Sequence, residues 1–180
     1  MLLGVDISKR SLGWVVLDDD ALKIHDYGLI KNPYDQSTGQ HLYRVRTHLQ
    51  HVITKHSISD VVIEDLFIQF IAVGKMLFQI HGVIKELAHA ELGKEPFAYH
   101  QSQWRSTLGI KPLSKKEKQA LIPEAQAVKG ERYKTYHKHL CDIKHRVIDF
   151  VNNEFDIDLT FEENDIADAI GLIVAHVRVV

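Results

Sequence analysis

The chain has 180 residues, 45% of them hydrophobic and 26% charged, and a net charge of −2. That is enough apolar chain for one globular domain with a sizeable core, while the near-neutral charge identifies no partner. The single cysteine, Cys141, excludes an internal disulfide and a thiolate zinc centre, and no apolar run approaches the length that spans a bilayer.

The apolar run 1–5 breaks at Asp6, too soon for a secretion signal, so a soluble cytoplasmic protein is expected. The twelve histidines show no His-Glu-x-x-His pattern and read as surface or core-edge residues. Charge is unevenly spread. Residues 111–146 carry ten Lys and Arg against four Asp and Glu, a local balance of +6 that leaves −8 for the rest of the chain. Such a basic segment is either a footprint for a polyanion or a solvated surface helix.

In chain order, Leu2-Leu3-Gly4-Val5 reads as a short apolar strand ending at Asp6, and Ser8-Lys9-Arg10 supplies turn chemistry. Residues 12–17 and 22–30 read as two further strands, separated by Asp18-Asp19-Asp20. Three strands with short links make an antiparallel meander. After a loop over 32–39, Leu42, Val45, Leu49, Val52 and Ile53 recur at helical spacing. Asp60-Val61-Val62-Ile63-Glu64 is a buried-type strand. Strand, crossover helix and strand imply a parallel pairing. Residues 73–92 form a strong helix whose apolar stripe, widened by Phe78, exceeds what one sheet face needs. Pro96-Phe97-Ala98-Tyr99 fits a last strand, and Gln103-Trp104-Arg105 begins a short helix. Residues 111–130 are polar, with Pro112, Pro123 and Gly130; a short helix and mobility are expected there. Tyr133, Tyr136, Leu140, Ile143, Val147, Phe150 and Val151 mark one long helix to about Glu154. Thr160-Phe161-Glu162-Glu163 has the capping-box pattern that starts a last helix.

Four acids stand at notable places in this order. Asp165 and Asp168 are three residues apart, on one face of the last helix. Like charges at that spacing destabilise a helix by roughly 0.2–0.5 kcal/mol, a cost that reverses if a hard divalent cation takes both carboxylates. The plainer reading is a solvated acidic helix start that favours the helix dipole. Asp6 and Glu64 end two apolar strands, at the carboxyl edge where open α/β sheets place their sites. Asp65 neighbours Glu64, but adjacent strand residues face opposite ways, so Glu64 ranks above it.

An order of meander, helix, strand, helix, strand and C-terminal helices, with acids at these four places, resembles the RNase H-like fold: a five-stranded mixed sheet flanked by helices, here over residues 1–180 with a basic insertion at about 111–141. More narrowly it resembles the RuvC-type Holliday junction resolvases. Gly4-Val5-Asp6-Ile7 with Ser11-Leu12-Gly13-Trp14 is similar to the family's first acidic motif, and Val62-Ile63-Glu64-Asp65-Leu66-Phe67 to its second. The stretch 74–83, with Gly82-Val83 at its end, resembles the family's central helix, and Gln103-Trp104-Arg105-Ser106-Thr107-Leu108-Gly109-Ile110 its next segment. Lys144-His145-Arg146-Val147 then precedes Asp165-x-x-Asp168-Ala169.

The resemblance implies that Asp6, Glu64, Asp165 and Asp168 bind two Mg²⁺ ions, with Mn²⁺ substituting, and hydrolyse phosphodiesters in branched DNA. Two ions about 3.5–4 Å apart clamp the attacking water and the leaving oxygen in such chemistry. It places Arg105 and Lys144 beside the phosphate. Arg105 stands where the family usually has lysine, and keeps the charge without serving as a proton donor at neutral pH. Phe67 falls where the family has an aromatic that stacks on a base near the crossover, a contact worth about 1–3 kcal/mol; the alternative is a core residue beside Phe70. The insertion, with Lys111, Lys115, Lys116, Lys118, Arg132 and Lys134, would grip extra duplex phosphate, at about one unit of salt slope per contact. Its length points to a phage-type member acting in a bacterial host. A homodimer through helix 73–92 would present two equivalent sites for symmetric nicks.

Three other readings compete with this one. A nuclease of the same superfamily acting on an RNA–DNA hybrid or a fork would use the same acids but need no dimer. An actin-like ATPase also has an early Asp in a meander, but needs two such domains and Gly-rich adenosine loops. A non-catalytic nucleic-acid-binding relative would gain nothing from four acids beside DNA.

Overall fold

Side-chain alternation in the first strand decides how the sheet faces its helices. In the structure, a computed structural model that describes residues 1–8, 10–33, 35–66 and 71–180 (backbone alone at 71–73 and at 131), β1 (Leu2–Ile7) runs through Asp6 rather than stopping there. Leu3, Val5 and Ile7 enter one core and Leu2 the other, so Gly4 and Asp6 fall on the Leu2 side. β2 (Ser11–Asp18) and β3 (Lys23–Lys31) complete the antiparallel meander. β4 (Asp60–Glu64) pairs parallel to β1, and β5 (Phe97–Tyr99) parallel to β4, giving the five-stranded order β3-β2-β1-β4-β5.

Helices cover both faces. α1 (Thr38–His56) starts at a Ser37–Gln40 capping box and ends at Ser57 in a left-handed conformation. It packs with α2 (Ile71–Leu92) over Leu3, Val5, Leu12, Val16 and Ile63. The opposite face carries α8 (Asn164–Val179), buried from Asp165 to His176, flanked by α3 (Gln101–Thr107) and α7 (Ile143–Phe155). None of the described helices is long and apolar enough to cross a membrane.

The sequence-based reading needs correction in the connecting segments. Residues 111–130 hold two short helices, not one: α4 (Lys115–Ala120), started by a Ser114–Glu117 capping box, and α5 (Ile122–Lys129), with Pro123 in its first turn. After a 3-10 turn (Gly130–Arg132) the expected long helix is two, α6 (Tyr133–Leu140) and α7. The apolar period runs through the break, but Asp142 leaves helical geometry (φ −67°, ψ 130°) and caps the backbone N–H of Lys144 at 3.0 Å. The Thr160 capping box closes a 3-10 turn (Phe161–Glu163), and α8 follows it.

Candidate active site

β1 and β4 run in parallel register with Val5 opposite Ile63, so the next residues, Asp6 and Glu64, come out side by side. Leu2 and Val62 lie in the α8-side core, Leu3 and Ile63 in the other. Alternation therefore sends both acids toward α8. On the other side of β1, Asp6 pairs with Gly13 of β2, and directly opposed residues share a face. The start of α8 is seated there: a Cβ on Gly13 would lie 2.0 Å from the carbonyl oxygen of Asp165 and 2.6 Å from the nitrogen of Ile166. Only glycine permits that seat, which delivers Asp165 and, one turn on, Asp168 to Asp6.

The side chains are held as follows. Asp165 Oδ2 accepts from Ser8 Oγ at 2.9 Å and from Ser11 Oγ, both in or beside the β1–β2 turn. Its Oδ1 lies 3.3 Å from Lys144 Nζ, which also reaches Asn164 Oδ1 and stands 3.6 Å from Asp168 Oδ2. Arg105 Nη2 donates to Asp168 Oδ1 at 3.2 Å, and its guanidinium lies over the Trp104 ring. Trp104 Nε1 donates to Glu64 Oε2 at 3.0 Å. The indole is fully buried and packs where Gly171 of α8 leaves room: a Cβ there would come within 2.8 Å of the ring. No described residue donates to Asp6, although it is only 7% exposed.

Electrostatics follow from this placement. Burial first, then the charges of Asp168, Glu64 and Asp165, push Asp6 well above the ordinary carboxylate range, against the pull of Lys144. Burial also raises Glu64, opposed by the Trp104 hydrogen bond, and raises Asp168, opposed by Arg105 and Lys144. Burial alone would lower Lys144, but Asp168, Asp165 and Asp6 outweigh it and hold the ammonium charged. Four carboxylates thus face two cations, a surplus of two negative charges when all are ionised.

Among the described residues no group of three or more His, Cys, Asp or Glu is arranged as a ready metal cage; Lys144 and Arg105 engage Asp165 and Asp168. The donor set nevertheless fits a hard divalent cation. It is all oxygen, its negative charge exceeds that of the two cations beside it, and Asp6 is a buried acid without a donor among the described residues. Asp6, Glu64, Asp165 and Asp168 are the residues that would hold the ion.

Other sequence expectations fall elsewhere. Asp65 points away, toward His100 at 3.4 Å. Phe67 and Phe70 lie outside the described residues. Lys111, Lys115, Lys116, Lys118, Arg132 and Lys134 are exposed, with no ion pair among the described residues. Arg146 ties this basic segment to α7, donating to the Lys111 carbonyl at 2.9 Å and pairing with Glu117 at 2.6 Å. The sequence reading missed the roles of Trp104, Ser8, Ser11 and Gly13. Two hydroxyls two and five residues after Asp6 were an available signal; nothing marked the indole.

The chain is similar to known proteins over most of its length. The profile of the family "Crossover junction endodeoxyribonuclease RuvC" matches residues 2–133. That span contains Asp6, Glu64, Trp104 and Arg105, whereas Lys144, Asp165 and Asp168 lie beyond it. The chain is 29% identical over 125 residues to the crossover junction endodeoxyribonuclease RuvC of Synechocystis sp., covering 67% of this chain and 74% of that protein. Its fold is similar to that of Thermus thermophilus RuvC in complex with Holliday junction substrate (TM-score 0.69, 15% identity, 98% of this chain and 92% of that one). It is also similar to the yeast mitochondrial Holliday junction resolvase (TM-score 0.53, 13% identity, 98% and 77%). The sheet order and flanking helices are those of the RNase H-like fold. With the match extending over most of the chain, the protein belongs to the crossover junction endodeoxyribonuclease RuvC family.

Proposed function

We propose that this chain is a structure-selective DNA endonuclease that resolves four-way junctions by metal-dependent phosphodiester hydrolysis. The observation that carries the reading is Asp6: a buried carboxylate beside three others and two cations, at the carboxyl end of the central strand. Asp6, Glu64, Asp165 and Asp168 hold the metal, taken as two Mg²⁺ with Mn²⁺ as substitute. Ions held there would supply a more acidic bound water and an offset to charge on the phosphate. The chain's own cations do the rest. Lys144 stays an ammonium because its pKa is raised, so it attracts and orients the phosphate and holds its proton. Arg105 is a permanent charge whose Asp168 contact fixes its aim. Ser8 and Ser11 orient Asp165, and the exposed lysines of α4 with Lys111, Arg132 and Lys134 grip duplex phosphate.

Residues 1–180 act as one nuclease domain, and two copies pair through α2 to nick opposed strands. Phe78, an apolar side chain of α2 that is 55% exposed, supports that interface. The long basic insertion supports a phage-type member working in the bacterial cytoplasm.

The test is cleavage of a labelled synthetic four-way junction with Mg²⁺ or Mn²⁺, beside linear duplex and an RNA–DNA hybrid. Paired symmetric nicks, lost in Asp6→Asn and Glu64→Gln, are expected, with sedimentation reporting a dimer. Preferential cutting of the hybrid by a monomer would overturn the reading. Trp104→Phe probes the support of Glu64. It leaves a smaller ring beside Gly171 and removes the indole N–H that donates to the carboxylate. Single-turnover cleavage should fall about 10–100-fold, the usual effect of losing a group that orients a metal ligand. Stability should also fall, by about 1–3 kcal/mol for the lost hydrogen bond and the smaller buried ring, so rates are compared well below each Tm, and unchanged cleavage would remove Trp104 from the site.

A further inference from the structure

Beside the acid cluster, α3, the segment after it and the first turn of α7 enclose a cleft of about 340 Å³. Its floor is apolar, made by Ile110, Pro112 and Ile143. Gln101, Ser102 and Ser106 stand on its rim, on the face of α3 that also carries Arg105. Arg105 lines it too: the residue is 7% exposed, one end is on Asp168, and its Nε is buried without a partner. Lys111 forms the other wall, its carbonyl braced by Arg146, which is itself held by Glu117. No acid lines the cleft among the described residues. Because Ile143 precedes Lys144 and Arg105 reaches Asp168, the cleft lies one side chain from the proposed reacting phosphate.

An apolar floor, neutral groups that both donate and accept, two cations and no acid together suit a flat heteroaromatic ring attached to an anion. The volume is at the small end of ligand pockets, which run from about 300 to 1,000 Å³, so it suits one base rather than a base pair. We propose that this cleft takes the unstacked base of a nucleotide flanking the scissile phosphate, with that nucleotide's phosphate on Lys111. Gln101, Ser102 and Ser106 read the base edge and so set a cleavage sequence preference. This rests on the junction-cleaving function proposed above.

Two readouts test it. Junctions carrying one abasic site, moved through the positions around the cut, should be cut about tenfold more slowly at one position, the scale of one lost base contact. Ser106→Leu, which fills the cleft from its exposed rim, should slow the intact junction about as much and erase the difference between intact and abasic junctions. Gln101→Ala should change which base is preferred there. Independently of cutting, 2-aminopurine at that position should brighten as metal-free protein binds, reporting an unstacked base, and Ser106→Leu should abolish the brightening. Cutting with no sensitive position and no brightening would overturn the cleft assignment alone. Brightening on a junction that is never cut would leave the cleft standing and overturn the nuclease reading.

Discussion

Asp6→Asn is expected to stabilise the metal-free protein while removing its cleavage activity. The carboxylate is buried, no described residue donates to it, and burial together with Asp168, Glu64 and Asp165 disfavours its charge. An amide of nearly the same shape removes that penalty, seen as a rise in Tm. Cleavage should fall by at least about 100–1000-fold, the scale of losing one electrostatic stabiliser from a preorganised site. Calorimetry without metal and single-turnover cleavage with it read the two effects.

The pH dependence has a definite sign. Asp6, Glu64 and Asp168 have folded pKa values raised above the ordinary 3.8, 4.5 and 3.8. The folded state therefore keeps protons that the unfolded chain releases. Stability from these groups is full below the ordinary values and is lost as pH rises through the raised ones. Lys144, also raised, loses its contribution only above 10.5. Metal-free wild type should thus weaken as pH rises above the ordinary carboxylate range more than Asp6→Asn does, and a divalent ion should restore wild type but not the variant. A variant that melts below wild type at neutral pH without metal would show that Asp6 is satisfied by contacts other than a cation.

The strands and the parallel pairing across α1 follow from alternation and apolar runs, which is why the sequence places Asp6 and Glu64 at the carboxyl ends of two strands. Period 2 also told Glu64 from Asp65. What the pattern could not carry was distance. The Asp165–Asp168 spacing shows a shared helix face, but equally suits a solvated helix start; burial at 6% and 3% exposure separates the two. The supports of the acids were harder still. An indole donor to Glu64 depends on α3 lying beside β4, and the Ser8–Ser11 contacts depend on α8 crossing the β1–β2 turn. Both are long-range facts that no local period encodes. The division between α6 and α7 was legible in principle, since Asp142 before an apolar stripe is a helix-start signal. The in-phase run from Tyr133 to Val151 masked it. That division matters because it starts a helix at Lys144's turn and so aims the ammonium at Asp165 and Asp168.

Gly13→Ala is expected to weaken the fold and displace two acids together. A methyl group at that position would lie 2.0 Å from the Asp165 carbonyl oxygen and 2.3 Å from its carbon. Those are backbone atoms that cannot rotate aside, so the start of α8 must move off β2. The cost belongs at the upper end of overpacking, about 3 kcal/mol, or a fall in Tm of about 6–12 °C. Displacement by about 1 Å in a site that works by position costs about 100-fold in rate, and both Asp165 and Asp168 ride on the displaced turn. Gly4→Ala gives the comparison. Its Cβ would meet the Ala169 carbonyl oxygen at 2.9 Å, a milder clash farther along α8, so stability should fall with less loss of cleavage. Gly39→Ala, with nothing within 4 Å, should melt no lower than wild type. Rates taken well below each variant's Tm separate the two effects, because every chain is then folded. If Gly13→Ala cuts at the wild-type rate under those conditions, the contact between β2 and α8 serves packing alone, and Asp165 must be held in place by Ser8, Ser11 and Lys144.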